Sequence, residues 1–267
     1  MRTIVLGAAG LVGRAMVRRF DAIGFTHADA DINDAATIRR IVAKHQPELI
    51  VNCAVIGVDE CEKDPDAAHA VNVDGPARLA EIAEKSGAAI VHFSSNYVFD
   101  GRERRTYATD DPPNPINVYG RTKLTGECGV FFRCNRAFVI RSSWIFGPGK
   151  ESSFVSSVHE KLRSGKSVRA VADVWASATY VEDLVDGVAH VIAHGQYGLF
   201  HIVNDGVCTY ESFAQEAARL TGADAKLVES VHARDVHKAR RPRYTPMQSS
   251  VPLRDWREAL AAFVRVR

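Results

Sequence analysis

The chain has 267 residues, 46% of them hydrophobic, which is enough to build a substantial core in one large domain or in a domain with a smaller lobe. Its formal net charge is only +2, with acidic and basic residues interspersed, so neither nucleic acid nor an anionic membrane is an expected partner. The chain opens on a predicted strand without a signal-peptide core, and no apolar run is long enough to cross a bilayer.

The cysteines indicate a reducing compartment. There are five, an odd number, and neither a Cys-x-x-Cys pair nor a zinc-like spacing of histidines accompanies them. We therefore expect reduced thiols in a cytoplasmic protein, and no metal centre.

The N-terminal segment carries a strand, a glycine turn and a helix start. A short apolar run over residues 3–6 is followed at once by Gly7, Gly10 and Gly13, and then by a helix-like segment over residues 14–20. Glycines let the backbone approach a pyrophosphate, whose charge the helix N-terminus stabilises. The spacing Gly-x-x-Gly-x-x-Gly differs from the commonest dinucleotide fingerprint, and a glycine-rich loop without a ligand is the alternative interpretation.

Strands and amphipathic helices alternate after this segment. The pattern predicts strands over residues 23–26, 49–52 and 89–94, and helices over residues 35–45 and 67–86. Gly87 follows the second of these helices, at a position where glycine commonly ends a helix. The β-α-β-α order predicts a parallel sheet.

A proline-rich loop over residues 111–115 leads into a helix that carries Tyr119 and Lys123. Side chains at positions i and i+4 share one helix face, so the Lys123 ammonium can favour the ionised form of the phenol. We expect the pKa of Tyr119 to fall by roughly three units with the help of a cationic nicotinamide. The hydroxyl of Ser95 would hold the carbonyl oxygen that this phenol protonates. The alternative is a packed tyrosine beside an exposed lysine.

A fifth strand is predicted over residues 137–141, shortly before Trp144. Every candidate chemical group up to this point follows the carboxyl end of a strand, which is the edge at which open α/β sheets bind ligands. We therefore expect distant parts of the chain to converge on one crevice.

Beyond residue 148 the alternation is less regular. Helices are predicted over residues 153–164, 181–194 and 210–220, an extended piece over 168–171, and a returning sheet strand over 199–203. The predicted fold class is α/β, a doubly wound parallel sheet of the Rossmann type with a smaller interleaved C-terminal lobe. Residues 1–145 are expected to form the dinucleotide-binding domain, and residues 146–267 mainly the substrate-binding lobe.

Several of these segments together resemble the extended short-chain dehydrogenase/reductase superfamily. They are the glycine loop, the strand end over residues 52–54, the string Ser-Ser-Asn-Tyr-Val-Phe-Asp-Gly over 94–101, the pair Tyr119 and Lys123, and residues 141–148. The 94–101 string narrows the resemblance to the dTDP-4-dehydrorhamnose reductase branch, in which Ser-Thr-Asp-Tyr-Val-Phe-Asp-Gly is characteristic. Residues 176–180 and the Arg241-Pro242 dipeptide extend the similarity over most of the chain.

The resemblance implies roles for individual residues. Tyr119 would be the proton donor, Lys123 would lower its pKa and bind the nicotinamide ribose, and Ser95 would be the partner of the carbonyl oxygen. Asn96, Tyr97 and Trp144 would face the sugar, although Trp144 is as readily interpreted as a core residue. The implied cofactor contacts, besides Tyr119 and Lys123, are Gly7, Gly10, Leu11, Val12, Gly13, Arg14, Asp31, Ile32, Cys53, Ala54 and Val55.

The sequence departs from that branch at several positions. Ser95 stands where Thr is usual, Asn96 where Asp is usual and Ala178 where Pro is expected, while residues 243–245 replace the Asn-Ser pair that normally follows Arg-Pro. Asn96 removes a negative charge beside the sugar. The rhamnose precursor is therefore one candidate substrate among several.

The choice of cofactor depends on the end of the second strand. An acidic group there would bind the ribose 2′-hydroxyl of NADH, but Thr26 and His27 occupy the position. Arg14 and His27 suit a 2′-phosphate, which favours NADPH over NADH. The alternative interpretation of both residues is a solvated surface.

The leading hypothesis is an NAD(P)H-dependent reductase of a nucleotide-linked 4-keto-6-deoxy sugar, in which hydride adds to the keto carbon. A nucleotide-sugar epimerase or dehydratase that retains its cofactor is one alternative, and a non-catalytic dinucleotide-binding regulatory subunit is another. The basic cluster between Arg234 and Arg243 has two readings, a solvated surface segment or a grip on an anionic substrate. The expected partner is the nucleotide sugar. The sequence leaves the oligomeric state open, and a homodimer is one possibility.

Overall fold

The computed structural model describes residues 1–149 and 153–265. Its helices are α1 Leu11–Phe20, α2 Ala35–His45, α3 Val58–Lys63, α4 Pro65–His69, α5 Gly75–Ser86, α6 Val118–Arg133, α7 Phe154–Arg163, α8 Val181–His194, α9 Tyr210–Thr221 and α10 Trp256–Arg265. Its strands are β1 Thr3–Leu6, β2 Ile23–Phe25, β3 Leu49–Asn52, β4 Ala89–Ser95, β5 Ala137–Ser142, β6 Ile145–Phe146, β7 Val168–Val171, β8 Trp175–Ala176, β9 Thr179–Tyr180, β10 Gly198–His201, β11 Cys208–Thr209 and β12 Val228–Val231.

Six parallel strands form the central sheet, in the order β2-β1-β3-β4-β5-β10. The chain winds outward from β1 in both directions, so the carboxyl ends of β1 and β3 flank the point where the strand order reverses. Strands β1, β3 and β5 are buried along their whole length, as expected for a sheet covered by helices on both faces. The predicted α/β doubly wound class is confirmed.

Local signals account for the helices that the sequence predicts best. Asp34 caps α2 by accepting hydrogen bonds from the backbone N–H groups of Ala36 and Thr37. Gly195 ends α8 in the left-handed conformation at φ 69°. Both helices have the bounds that the sequence pattern predicts.

The helix predicted over residues 67–86 is instead interrupted. Between α4 and α5 the segment Ala70–Asp74 forms a π-helical turn. Within it, the buried Asn72 side chain bonds the backbone of Ile56 and the hydroxyl of Thr122. A Cβ atom on Gly126 of α6 would overlap the Asn72 carbonyl oxygen, so the two helices touch there. The bulge places a buried amide between β3, α3 and α6.

The second half of the chain packs onto this sheet as a smaller layer. Three two-stranded sheets pair β6 with β9, β7 with β12, and β8 with β11. Phe213 and Trp256, from α9 and α10, belong to the same apolar cluster as Val5, Val51 and Ile140 of the central sheet. Helices α3 and α10 and strand β12 were not predicted from the sequence pattern. The division at residue 145 stays a prediction, and residues 150–152 and 266–267 of the expected lobe lie outside the described part of the chain.

Candidate active site

The glycine loop is fixed by close backbone packing. Gly7 has φ +76°, and a Cβ atom there would lie 2.7 Å from the backbone of Cys53 and Ala54 at the end of β3. A Cβ atom on Gly13 would overlap the carbonyl oxygen of Gly7. Gly10 caps α1 with no side-chain hydrogen bond within the described residues, so the first N–H groups of the helix are open to an anion.

The first turn of α1 and the loop after β2 contain the next group of predicted residues. Leu11 and Val12 begin α1, and Arg14 of the same turn donates to the carbonyl oxygen of Ala9. Beyond β2, Asp31 is half exposed and accepts a hydrogen bond from the backbone of Asn33 at 2.9 Å. Ile32 is 5% exposed and packs in the core, close to Gly75.

The carboxylate nearest the end of β2 is already engaged. Asp29 accepts from the backbone N–H of Thr26 at 2.9 Å and from its hydroxyl at 2.7 Å. These bonds hold the pKa of Asp29 below its ordinary value. The side chain of His27 is 85% exposed. The end of β2 therefore presents a loop that is satisfied internally.

The segment after β3 forms the wall opposite the glycine loop. The Ala54 N–H donates to Asn52 Oδ1 at 3.1 Å, which turns the chain away from the strand. Cys53 is half-buried, and burial raises the pKa of its thiol. Val55 is an apolar side chain left 50% exposed at this edge of the sheet.

Ser95 and Tyr119 are brought together by the contact between β4 and α6. The Asn117 side chain caps α6 by accepting from the Gly120 N–H at 2.7 Å. A Cβ atom on Gly120 would overlap the carbonyl oxygen of Tyr97, so the helix begins directly against the turn that follows Ser95. The Ser95 side chain lies near enough to the Tyr119 phenol to act on its pKa. The Tyr119 ring meets that of Tyr97 edge-on at 5.9 Å.

The ionisation of Tyr119 differs from the expectation. Burial raises the pKa of Tyr119 to about 12, and the nearby Ser95 side chain offsets this only in part. Burial likewise lowers the pKa of Lys123 to about 8, while the charge of Glu127 opposes the shift. Lys123 is 2% exposed. Both groups sit in a desolvated site that favours their neutral forms, so in the protein chain itself the phenol does not move toward neutrality as the sequence analysis expects.

A buried ion pair lies beneath these residues, and the sequence analysis missed it. Arg141 of β5 donates to both carboxylate oxygens of Glu127, at 2.9 Å and 2.7 Å, and the Ser94 hydroxyl donates to the same carboxylate. Both charged side chains are less than 5% exposed. Glu127 is one helical turn beyond Lys123, which is the only sequence signal for it. The pair joins α6 to β5 under the candidate site.

The residues expected to face the sugar have different environments. Asn96 is 2% exposed, and its side chain bonds Ser95 and Thr245. Tyr97 is 6% exposed. Trp144 is half-buried with φ +37°, a strained backbone for a bulky residue, and stacks on Tyr210 at 3.8 Å. Its buried indole N–H has no hydrogen-bond partner in the described ranges.

A cavity of about 820 Å³, lined by residues within 100–104, 173–175 and 233–244 among others, lies on the side of the molecule that carries Arg241, and we call it the basic cavity. Its cationic lining residues are Arg102, Arg104, Arg234, Lys238, Arg240, Arg241 and Arg243. Arg241 is 8% exposed, donates to Asp59 at 2.7 Å and lies 5.9 Å from the centre of the Tyr97 ring. Its buried Nη1 has no hydrogen-bond partner within residues 1–149 and 153–265. The cluster over Arg234 to Arg243 therefore lines a cavity instead of forming an isolated surface patch.

Neither a metal cluster nor a membrane span is found where the chain is described. No three His, Cys, Asp or Glu side chains come together there as metal ligands. None of the described helices is long and apolar enough to span a bilayer.

The chain is similar to known proteins over nearly its full length. It matches the family model described as RmlD substrate binding domain over residues 1–266. It is 36% identical to the dTDP-4-dehydrorhamnose reductase of Mycolicibacterium smegmatis, over 97% of this chain and 84% of that protein. The chain belongs to the RmlD substrate binding domain family.

Two further proteins show how wide the similarity is. A probable dTDP-4,6-dihydroxy-2-methyloxan-3-one 4-ketoreductase of Streptomyces antibioticus is 36% identical, over 97% of this chain and 93% of that protein. The chain is 28% identical in sequence to the dTDP-4-dehydrorhamnose reductase of Bacillus anthracis, whose crystal structure is in complex with NADP. That structure has a TM-score of 0.94 and covers 100% of this chain and 99% of that one. The resemblance that the motifs indicate is confirmed.

Proposed function

We propose that this member of the RmlD family is an NADPH-dependent reductase of a nucleotide-linked 4-keto-6-deoxy sugar. The observation that carries the proposal is the meeting of Ser95 and Tyr119 at the carboxyl edge of the sheet, with the buried Lys123 one turn further along α6. The glycine loop follows β1, which is two strands away from β4 in the sheet, so it lies at the same carboxyl edge. The named activities of the relatives support the same reaction class.

The residues present fit a dinucleotide. The backbone contacts of Gly7 and Gly13 leave no room for side chains, and the uncapped start of α1 would bind the pyrophosphate. Arg14 lies in the first turn of α1, and the Ala8 N–H of the glycine loop bonds Phe25 at the end of β2, so this turn adjoins that strand. This arrangement suits a 2′-phosphate, as does the NADP bound to the Bacillus anthracis protein. The bound cofactor would supply the hydride.

The protein supplies the proton. With a pKa raised to about 12, Tyr119 holds its proton at neutral pH and can donate it to the carbonyl oxygen as hydride reaches the carbon. The Ser95 hydroxyl is placed to bind the same oxygen. Lys123, whose pKa of about 8 leaves it mostly charged at pH 7, would stabilise the phenolate that forms. These roles suit reduction of a ketone.

The basic cavity would bind the nucleotide diphosphate. Its seven cations oppose two lining carboxylates, Asp100 and Asp173. Arg241 is the innermost candidate because its unpartnered Nη1 is buried and its guanidinium lies over Tyr97. A diphosphate held there would place the attached sugar toward Tyr119. The intact Ser95, Tyr119 and Lys123 favour this catalytic reading over a regulatory subunit.

The decisive experiment measures NADPH and NADH oxidation with a panel of nucleotide-linked 4-keto sugars. We expect turnover with NADPH and at least one dTDP-linked substrate, and a Tyr119→Phe variant should lose two to four orders of magnitude in turnover. Its affinity for NADPH should be nearly unchanged. An inactive wild-type protein, or a Tyr119→Phe variant with full turnover, would refute the proposal. Purification with a tightly held, non-exchanging dinucleotide would favour the epimerase or dehydratase alternative.

A further inference from the structure

A buried chain of hydrogen bonds connects Ser95 to the C-terminal half of the molecule. The Ser95 hydroxyl donates to Asn96 Oδ1 at 3.1 Å, and Asn96 Nδ2 donates to Thr245 Oγ1 at 2.7 Å. Ser95, Asn96 and Thr245 are 7%, 2% and 0% exposed. Asn96 and Thr245 are 149 positions apart in sequence. The side chains of Asn96 and Thr245 are therefore both inside the protein.

The chain of bonds orients the Ser95 hydroxyl. A side-chain amide is a donor at one end and an acceptor at the other, so the bond to Thr245 leaves Asn96 Oδ1 to accept the Ser95 proton. The Tyr97 N–H donates to Ser95 Oγ at 3.2 Å from another side. Ser95 Oγ is therefore held by two fixed partners. When a carbonyl oxygen binds, the Ser95 O–H can turn from Asn96 Oδ1 to that oxygen while the Tyr97 N–H still holds Oγ in place.

Thr245 belongs to a segment that also lines the basic cavity. Arg241, Arg243 and Tyr244 contribute to the cavity wall directly before it. The segment is anchored to β8 by two backbone hydrogen bonds, from Thr245 N–H to Trp175 at 2.9 Å and from Trp175 N–H to Arg243 at 2.8 Å. A rigid stretch of chain thus runs from the expected diphosphate site to the hydroxyl that bonds Asn96.

We infer that Asn96 and Thr245 are positioning residues that hold the Ser95 hydroxyl in register with the carbonyl oxygen and tie its position to the basic cavity. The inference rests on the proposed function. Ser95 remains the group that would touch the substrate, and the other two act through it. Losing the Thr245 hydroxyl would leave a buried amide N–H without an acceptor, so Asn96 would rotate and release Ser95.

The test compares substitutions that preserve volume. Thr245→Val removes the hydroxyl, and we expect kcat to fall about tenfold with both KM values within about twofold. Thr245→Ser keeps the required acceptor and should retain kcat within about threefold, whereas Asn96→Leu should lose at least as much as Thr245→Val. Thr3→Val is the matched control, because Thr3 is also buried but lies at the opposite end of β1. Unchanged kcat in Thr245→Val, or no rescue by Thr245→Ser, would overturn the inference.

A second measurement does not depend on turnover. The side-chain NH₂ signals of Asn96, assigned by NMR with the Asn96→Asp variant, should exchange slowly with water in the wild type and much faster in Thr245→Val. Equal exchange would contradict the hydrogen-bond chain. If the wild type reduces no keto sugar, the proposed function fails, yet the exchange result still decides whether Thr245 holds Asn96.

Discussion

A Cβ atom on Gly13 would overlap the carbonyl oxygen of Gly7 and lie 2.8 Å from the Cα atom of Ala8. The first turn of α1 is therefore pressed directly against the loop that leaves β1. This contact aims the open N–H groups of the helix at the carboxyl edge of the sheet.

Gly13→Ala should accordingly weaken dinucleotide binding. The methyl group must push α1 away from the loop, so we expect a loss of about 1–3 kcal/mol in the free energy of unfolding. The affinity for NADPH, measured by fluorescence titration, should fall about tenfold or more because the pyrophosphate site moves with the helix. Gly129→Ala on α6 is the control, since its nearest neighbour would be the Ala77 side chain at 3.2 Å. Full NADPH affinity in Gly13→Ala would show that the loop is not the binding site.

The sequence predicts the parts of the molecule that local chemistry determines. Gly7 and Gly13 could be recognised because strand, glycine turn and helix follow one another without interruption. The i, i+4 spacing of Tyr119 and Lys123 gave a shared helix face, and α2 and α8 followed from their apolar period and terminal residues. All of these signals lie within a few residues of each other.

What sequence reasoning missed depends on distant contacts. The Glu127–Arg141 pair joins a helix to a strand, and the bond between Asn96 and Thr245 spans most of the chain. The pKa direction of Tyr119 is set by how completely the folded protein removes water from it. No local pattern reports that degree of burial. The position of α10 is also set by distant contacts, because its Trp256 packs in an apolar cluster with residues of the central sheet.

Lys123→Met should change how stability depends on pH. Burial lowers the pKa of Lys123 to about 8, so between that pH and the unfolded value near 10.4 the unfolded chain binds the proton and the folded chain does not. The lysine's contribution to stability therefore rises with pH across this window, by about 2 kcal/mol between pH 7 and pH 9.5. The measurement is the free energy of unfolding in urea of the wild type and of Lys123→Met at both pH values. The difference between the two proteins should show this rise. A difference that is constant with pH would contradict the desolvated position of the ammonium.

Arg241→Met should weaken binding of the nucleotide sugar more than it slows the reaction. The guanidinium is fixed by Asp59 and Arg241 lines the basic cavity, where a charged hydrogen bond to the diphosphate is worth about 1.5–3 kcal/mol. We expect the KM for the sugar nucleotide to rise about tenfold or more, and that for NADPH to change little. Lys166→Met removes a cation from an exposed position outside the cavity and is the control. If Arg241→Met and Lys166→Met had equal KM values for the sugar nucleotide, the diphosphate would have to bind outside the basic cavity.

His201→Gln should make the protein less sensitive to acid. His201 is fully buried at the end of β10, and burial together with the Arg141 charge lowers its pKa to about 4. An unfolded histidine titrates near 6.5. As the pH falls from 6.5 toward 4, His201 therefore binds a proton in the unfolded chain but not in the folded chain. The wild type should lose about 2 kcal/mol of stability from this group between pH 7 and pH 5, and the variant should not. His27→Gln, which replaces a histidine whose side chain is 85% exposed, serves as the control. Parallel stability curves for the wild type and His201→Gln across this range would contradict the lowered pKa of the buried imidazole.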